Sequence, residues 1–331
     1  MTNATLTPGP LNDAPTAPST SVNQAAVIVN PVKFSARHLA RFTAKVSRAF
    51  QAQGWLSPLW LHTTAETRGS DEARLAVAAG VDLVFVAGGD GTIRTVAQEL
   101  AGTGVSMAIL ARGTGNLLAR NLGIPRKDIV EAVKVACTGV DRAVDVGWAE
   151  LDVDGDGQHT ERFAFLVMAG AGFDAAMMAG ANHTMKTRLG PSAYLVSGTR
   201  AIQRPMSATT VSVDGVLMDH RRSRGIVVGN CGSLMMGLSL MPDADPFDGV
   251  LDGVVLYQRT PLDWARVAWS VLTHDRRDSR HMPHVRGGSI VVHTDSAQLV
   301  EVDGDVVGEA RAVRFAVQPG ALLVRCPAAR D

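Results

Sequence analysis

The chain has 331 residues, of which 46% are hydrophobic and 19% charged, enough apolar material for two domains with cores of their own. Lysine plus arginine and aspartate plus glutamate each count 32, so no net field draws the protein to nucleic acid or to an anionic bilayer, and any membrane contact must be local. Three cysteines, Cys137, Cys231 and Cys326, are an odd number without metal-ligand spacing, which argues against a disulfide framework or a zinc site and fits a reducing compartment.

Residues 1–24, rich in Thr, Pro, Asn and Ala, lack a basic start followed by an apolar run and read as a disordered tail, not a secretory signal. Ala25–Asn30 and Pro58–His62 then read as strands. A helix is expected from Ser70 to Gly80, with Ser70 as N-cap and Asp71 and Glu72 in its first turn. Val81–Val86 reads as a buried strand, and Ile93, Val96, Ala97 and Leu100 fall at helical spacing after a glycine-rich turn. Ser106–Leu110 is the next strand. This alternation predicts a parallel sheet covered by helices.

After about Val144 the texture changes to short alternating runs at 163–168, 209–213, 225–228, 254–257, 289–293, 299–302, 313–317 and 322–325. Strands at this density, joined by Asp-Gly turns, predict an antiparallel β domain. Helical insertions are expected near 175–203 and 262–274.

Two loops carry the chemistry. Gly88-Gly89-Asp90-Gly91-Thr92 joins a buried strand to a helix, where glycines let the backbone approach a polyphosphate and the helix N-terminus offers free N–H groups. Asp90 would orient a magnesium-bound water or a ribose hydroxyl; the bland alternative is a helix cap. Arg112-Gly113-Thr114-Gly115-Asn116 repeats the arrangement after the next strand. Ligands of open α/β sheets bind at the carboxyl ends of strands, so two adjacent loops of this kind predict a nucleotide cleft.

Asn30-Pro31, Thr63-Thr64, Gly88–Thr92, Gly113–Asn116 with Leu117-Leu118-Ala119-Arg120, Gly229-Asn230, Pro242–Asp252 and Val302-Asp303-Gly304-Asp305 occur in the order seen in the diacylglycerol kinase catalytic family, which the chain resembles from about Ala25 onward. The resemblance implies an N-terminal α/β domain of NAD kinase and phosphofructokinase type, spanning 25–143 with 318–331, and a β-sandwich lipid-substrate domain spanning 144–317. It implies ATP contacts from Asn30, Pro31, Val32, Lys33 and Phe34, from Thr63, from Gly88, Gly89, Asp90, Gly91, Thr92, Ile93 and Arg94, and from Thr114, Gly115 and Asn116. It implies magnesium near Asp245, Asp248 and the backbone of Val250, with Asp90 and Asp305 as catalytic residues and Asp305 as general base. The sequence departs from the family at Val32-Lys33-Phe34, at Arg94-Thr95, at Ala111 and at Asp305, where glutamate is usual. Aspartate has a similar intrinsic pKa, so a glutamate at 305 is expected to keep activity.

The resulting expectation is a cytoplasmic ATP-dependent lipid kinase. It would phosphorylate diacylglycerol during transient contact with a membrane surface, with no nucleic-acid partner and with a homodimer left open. Its rivals are an NAD kinase and a non-catalytic, nucleotide-gated lipid-binding protein. No Walker A lysine motif or protein-kinase catalytic loop occurs. Asp152–Gly157 imitates an EF-hand start but has Phe163 at position twelve, so it reads as a hairpin turn. His274, His281 and His284 read as solvated. Met168, Met177, Met178, Met235, Met236 and Met241 read equally as core or as an adaptable lipid pocket. Arg221, Arg222 and Arg224, like Arg276, Arg277 and Arg280, read as exposed loop residues within reach of anionic headgroups.

Overall fold

The computed structural model describes residues 23–126, 128–158, 161–172, 206–232, 241–257, 263 and 283–328. Every residue of β1 (Ala25–Val29), β3 (Leu83–Gly88) and β4 (Ser106–Ala111) is buried, as continuous apolar strands require when both faces of a sheet are covered. With the half-exposed edge strand β2 (Leu59–His62) they form a parallel ladder in the order β2-β1-β3-β4. Alternate residues feed different cores. Val27, Phe85 and Leu110 pack with Phe42, Val46 and Phe50 of α1 (Ala36–Ala52) and Val133 of α5 (Ile129–Thr138). Ile28, Val86 and Ile109 pack on the other face with Ala73 of α2 (Ser70–Ala78) and with Ile93 and Val96 of α3 (Asp90–Leu100). The N-cap of α2 is Gly69 at φ +116°, not Ser70, whose hydroxyl donates to the Thr67 carbonyl at 2.9 Å. A short α4 (Leu117–Asn121) follows β4.

The second half is antiparallel. Its strands are β5 (Val140–Asp152), β6 (Glu161–Phe165), β7 (Met168–Gly172), β8 (Ser207–Val213), β9 (Val216–Ser223), β10 (Gly225–Gly229), β11 (Leu251–Leu256), β12 (His284–Gly287), β13 (Ser289–Val302) and β14 (Asp305–Cys326). The two halves share one hydrogen-bonded path, β12-β11-β10-β7-β13-β14-β4-β3-β1-β2. β14 joins them: its start pairs with β13, its length with β5, and Val324 lies parallel to Met107 of β4. Register shifts at His293/Gln298 in β13 and Gln318/Leu322 in β14 break the alternation there, which is why each long strand reads from sequence as two short ones. Phe165 and Phe315 meet edge to face at 6.3 Å in the core of this half.

Asp152 accepts the N–H groups of Gly155 and Gly157 at 2.7 and 2.8 Å and closes the β5–β6 hairpin, as expected of a turn and not of a calcium loop. Arg221 and Arg222 belong to strand β9 and not to a loop; Arg221 pairs with Asp219 at 2.9 Å and lies over the Tyr257 ring. Met168 and Met241 are buried in the core shared by the two halves, whereas His284 is exposed on β12. The insertions expected near 175–203 and 262–274, apart from Asp263, lie outside the described residues. So do Met177, Met178, Met235, Met236, His274, His281 and the arginines at 276, 277 and 280.

Asp145, 2% exposed, ties β5 to the turn before β11 and to the irregular stretch of β14, accepting N–H groups from Gly249 and Gly320, each at 2.7 Å. Hydrogen bonds to a charged group contribute about 1.5–3 kcal/mol apiece, so Asp145→Ala is expected to lower unfolding stability by about 3 kcal/mol in denaturant titration.

Candidate active site

The parallel strands deliver their following loops to one edge of the sheet. Asn30 follows β1 and caps the 3₁₀ turn Pro31–Lys33, its Oδ1 accepting the Val32 N–H at 3.1 Å. Val32 is 86% exposed, whereas Phe34 turns inward, 5.1 Å from Phe42 and beneath the Arg112 guanidinium at 5.2 Å. Thr63 follows β2; its N–H donates to the Val29 carbonyl, and its buried hydroxyl has no hydrogen-bond partner.

The two glycine-rich loops pack on each other. A Cβ on Gly113 would stand 2.8 Å from the Gly89 Cα, and one on Gly115 would stand 2.8 Å from Asp90 Oδ2. Those two glycines therefore serve loop-to-loop contact first. Asn116, at φ +49°, hydrogen-bonds the Gly113 N–H and carbonyl through its side-chain amide, both at 2.8 Å, and leaves Thr114 exposed at the loop tip. Asp90, expected to act on the nucleotide's metal or ribose, is engaged otherwise. Its two oxygens accept the N–H groups of Asn116 and Leu117, both at 2.8 Å, so its carboxylate caps α4 and staples the loops together. Ile93 is 1% exposed with its side chain in the core, so only its backbone faces the loop edge. The Gly89 N-cap of α3 has no side-chain capping bond.

Asp305 arrives from the other half of the molecule. It opens β14 directly after a tight turn in which Asp303 and Gly304 both have positive φ. Its Oδ2 lies 3.3 Å from where a Gly91 Cβ would be, 3.0 Å from Nη2 of Arg94 and 3.8 Å from Nη1 of Arg68. Asp303 does not merely face its own turn: its buried carboxylate accepts the N–H groups of Leu166, Val167 and Met168 at 2.8 to 3.0 Å, locking the turn to the entrance of β7. Burial pushes the Asp303 carboxyl upward, against the pull of those donors and of Arg94. Asp90, Ile93, Leu117, Leu118, Leu166, Val167 and Asp303 surround one small cavity of about 10 Å³, so loops from both halves meet at this point.

The turn at 245–250 does not fit magnesium. Asp245 Oδ1 accepts the Phe247 N–H at 3.2 Å, and Asp248 Oδ1 accepts the Val250 N–H at 3.1 Å. The Arg286 guanidinium bonds the other Asp248 oxygen and lies 3.6 Å from Asp252. An arginine thus already supplies the positive charge, and among the described residues no group of three or more His, Cys, Asp or Glu side chains has metal-binding geometry. Chelation with EDTA is therefore expected to leave the melting temperature of the nucleotide-free protein unchanged, measured by calorimetry with and without added magnesium. Burial raises the Cys137 thiol to about 12 and Cys326 to about 11, and moves Cys231 higher still, which disfavours the reactive thiolate at all three.

With this geometry in view, the relatives are decisive. The diacylglycerol kinase catalytic domain profile matches residues 24–149, and that of the YegS C-terminal NAD kinase beta sandwich-like domain matches residues 167–326. A Pseudomonas aeruginosa protein named "Probable lipid kinase YegS-like" is 33% identical over 261 residues, 76% of this chain and 79% of its own length. The chain belongs to the diacylglycerol kinase-like lipid kinases. In this lipid kinase family, the diacylglycerol kinase of Bacillus subtilis is 27% identical over 294 residues, covering 87% of this chain and 91% of its own. The crystal structure of a diacylglycerol kinase from Bacillus anthracis superposes with a TM-score of 0.71 at 25% identity, over 93% of this chain and 98% of that one. Yeast NADH kinase complexed with NADH, at TM-score 0.56 and 12% identity over 94% of this chain and 85% of that one, shares the fold. The α/β half and the β-sandwich half are thus those of the kinase family.

Arg68 is the site residue that sequence reasoning missed. Arg68 and Gly69, just before α2, both adopt positive φ and turn the loop toward Asp305, a contact that nothing in the local sequence announces.

Proposed function

We propose that this lipid kinase transfers the γ-phosphoryl group of magnesium-bound ATP to the hydroxyl of diacylglycerol, giving phosphatidic acid, during transient contact of a cytoplasmic protein with the membrane surface. The observation that carries the reading is the meeting of Asp305, from the β-sandwich half, with the N-terminus of α3 in the nucleotide half. Phosphoryl transfer needs positioning, charge neutralisation and an acceptor for the hydroxyl proton. Here the loop edge of β1 to β4 receives the nucleotide, and the unpartnered Thr63 hydroxyl is a hydrogen-bonding group left for it. The α3 N-terminus faces the phosphates, and Asp305 takes the proton of the attacking hydroxyl. Asp90 acts by holding the two loops at their spacing. Magnesium enters with the nucleotide as part of the substrate, and no step passes through the turn at Asp248.

An acceptor panel tests this. Incubation with γ-labelled ATP and separate micelles of diacylglycerol, monoacylglycerol and a sphingoid base, followed by thin-layer separation, is expected to label diacylglycerol most strongly. Labelling of another lipid alone would replace the acceptor, and labelling of none would overturn the reading.

A further inference from the structure

We propose that Asp305 sits in a two-arginine clamp whose jaws differ: Arg94 is a fixed, positioning jaw, and Arg68 is a movable one that passes to the transferring phosphoryl group. The proposal rests on the kinase reading above. Both guanidinium groups reach the same oxygen, Asp305 Oδ2, from opposite circumstances. Arg94 is 7% exposed at 3.0 Å, rooted in α3, with its Nε buried and without a partner. Arg68 is 63% exposed at 3.8 Å. An ion pair so exposed and so long returns little stability. Yet the loop that presents it is elaborate. Arg68 adopts φ +50° and Gly69 φ +116°, a costly conformation for an arginine. A Cβ on Gly69 would come within 2.9 Å of Val96 Cγ2, and the Thr64 and Thr67 hydroxyls each accept the other residue's N–H at 3.1 Å. A backbone held this way for so weak a pair points to a second partner for Arg68.

That partner is an anion arriving beside Gly91. In the free protein the Asp305 carboxylate stands where negative charge is to come, between an α3 N-terminus and an exposed arginine. A terminal phosphoryl group entering there competes for Arg68 and draws it off Asp305, while Arg94 keeps the carboxylate in place. The lipid hydroxyl oxygen then bonds to the γ-phosphorus as the bond from phosphorus to the β–γ bridging oxygen breaks. ADP leaves with that electron pair, and the hydroxyl proton passes to the released Asp305 oxygen. Arg68 neutralises the charge on the transferring group, the role in which arginines give large rate effects.

The test uses the full chain with R68Q, R68K, R94Q and R94K, each assayed with γ-labelled ATP and diacylglycerol micelles. Calorimetry supplies affinities for ADP and for a non-hydrolysable ATP analogue. R68Q is expected to lower kcat ~10²-fold or more. It should leave ADP affinity and melting temperature unchanged and shrink the preference for the analogue over ADP, because Arg68 meets only the terminal phosphoryl group. R68K should recover part of both losses. R94Q and R94K should lower kcat while leaving the analogue-over-ADP preference at the wild-type value, as a positioning role requires. Wild-type kcat in R68Q, or an unchanged analogue-over-ADP preference, overturns the movable jaw, and the R68 variants decide it even if R94Q fails to fold. A wild type without lipid turnover sinks the kinase reading alone, since the analogue-over-ADP preference still decides the clamp.

Discussion

Asp305→Asn is expected to lower kcat by ~10²–10⁴-fold with ATP affinity nearly unchanged, because a positioned base contributes a factor of that size and the carboxylate, in the role proposed for it, serves the acceptor hydroxyl and not the nucleotide. The competing view, that Asp305 only shapes the turn after β13, predicts lost stability with kcat intact. The Asp303 geometry argues for the base. The turn is already locked by the three N–H bonds to Asp303 and by the Glu301 carboxylate, which accepts the Gly304 N–H at 2.8 Å. Asp305 adds no capping bond of that kind; its side chain, 41% exposed, points at Arg94 and Arg68. The glutamate substitution fares worse than the sequence suggests. With Oδ2 already 3.0 Å from Arg94 and 3.3 Å from the space beside Gly91, an added methylene displaces the carboxylate. Asp305→Glu should therefore recover only part of the activity. Steady-state kinetics on both variants, with calorimetric ATP binding alongside, checks the pattern, and near-normal kcat in Asp305→Asn would falsify the base assignment.

Asp90→Asn is the second large effect, and it reaches stability as well as activity. The carboxylate caps two N–H donors of the neighbouring loop, one with each oxygen. Asparagine offers one acceptor and turns an amide N–H₂ toward the other donor, leaving that backbone group unsatisfied at a cost of about 1–3 kcal/mol. Unfolding stability should fall by about 2 kcal/mol. Turnover should be lost together with much of the ATP affinity, because the second loop no longer holds its place beside the first. Denaturant unfolding and calorimetric ATP titration of the purified variant measure both quantities. Wild-type stability with only kcat lost would return Asp90 to a direct role in the chemistry.

These two carboxylates mark how far the sequence can be read. Buried strands such as Val81–Val86, the glycine-rich turns and the change to β texture after Val144 are local patterns, and β1, β3 and β4 appear where those patterns put them. Asp90 is different. Its glycine context announced a phosphate loop, but its partners, Asn116 and Leu117, are fixed only when β3 and β4 align and the Gly113 and Gly115 backbones close on it. Asp305 was legible as a residue beside a turn, but its two arginines lie on separate elements far away in sequence. Arg68 was invisible for that reason. Arg286 shows the same limit, since nothing in Asp245–Val250 reveals that a strand beginning at His284 places a guanidinium against Asp248.

Yeast NADH kinase shares the fold, so a lipid hydroxyl and the ribose of a dinucleotide are the two acceptors to be told apart. The most direct measurement supplies both acceptors together: wild-type protein, magnesium, γ-labelled ATP, diacylglycerol micelles and NAD in one reaction, with lipid and aqueous products separated by solvent extraction. Label is expected in the organic phase, migrating as phosphatidic acid on a thin layer and disappearing with Asp305→Asn. Label confined to an aqueous phosphorylated dinucleotide would contradict it.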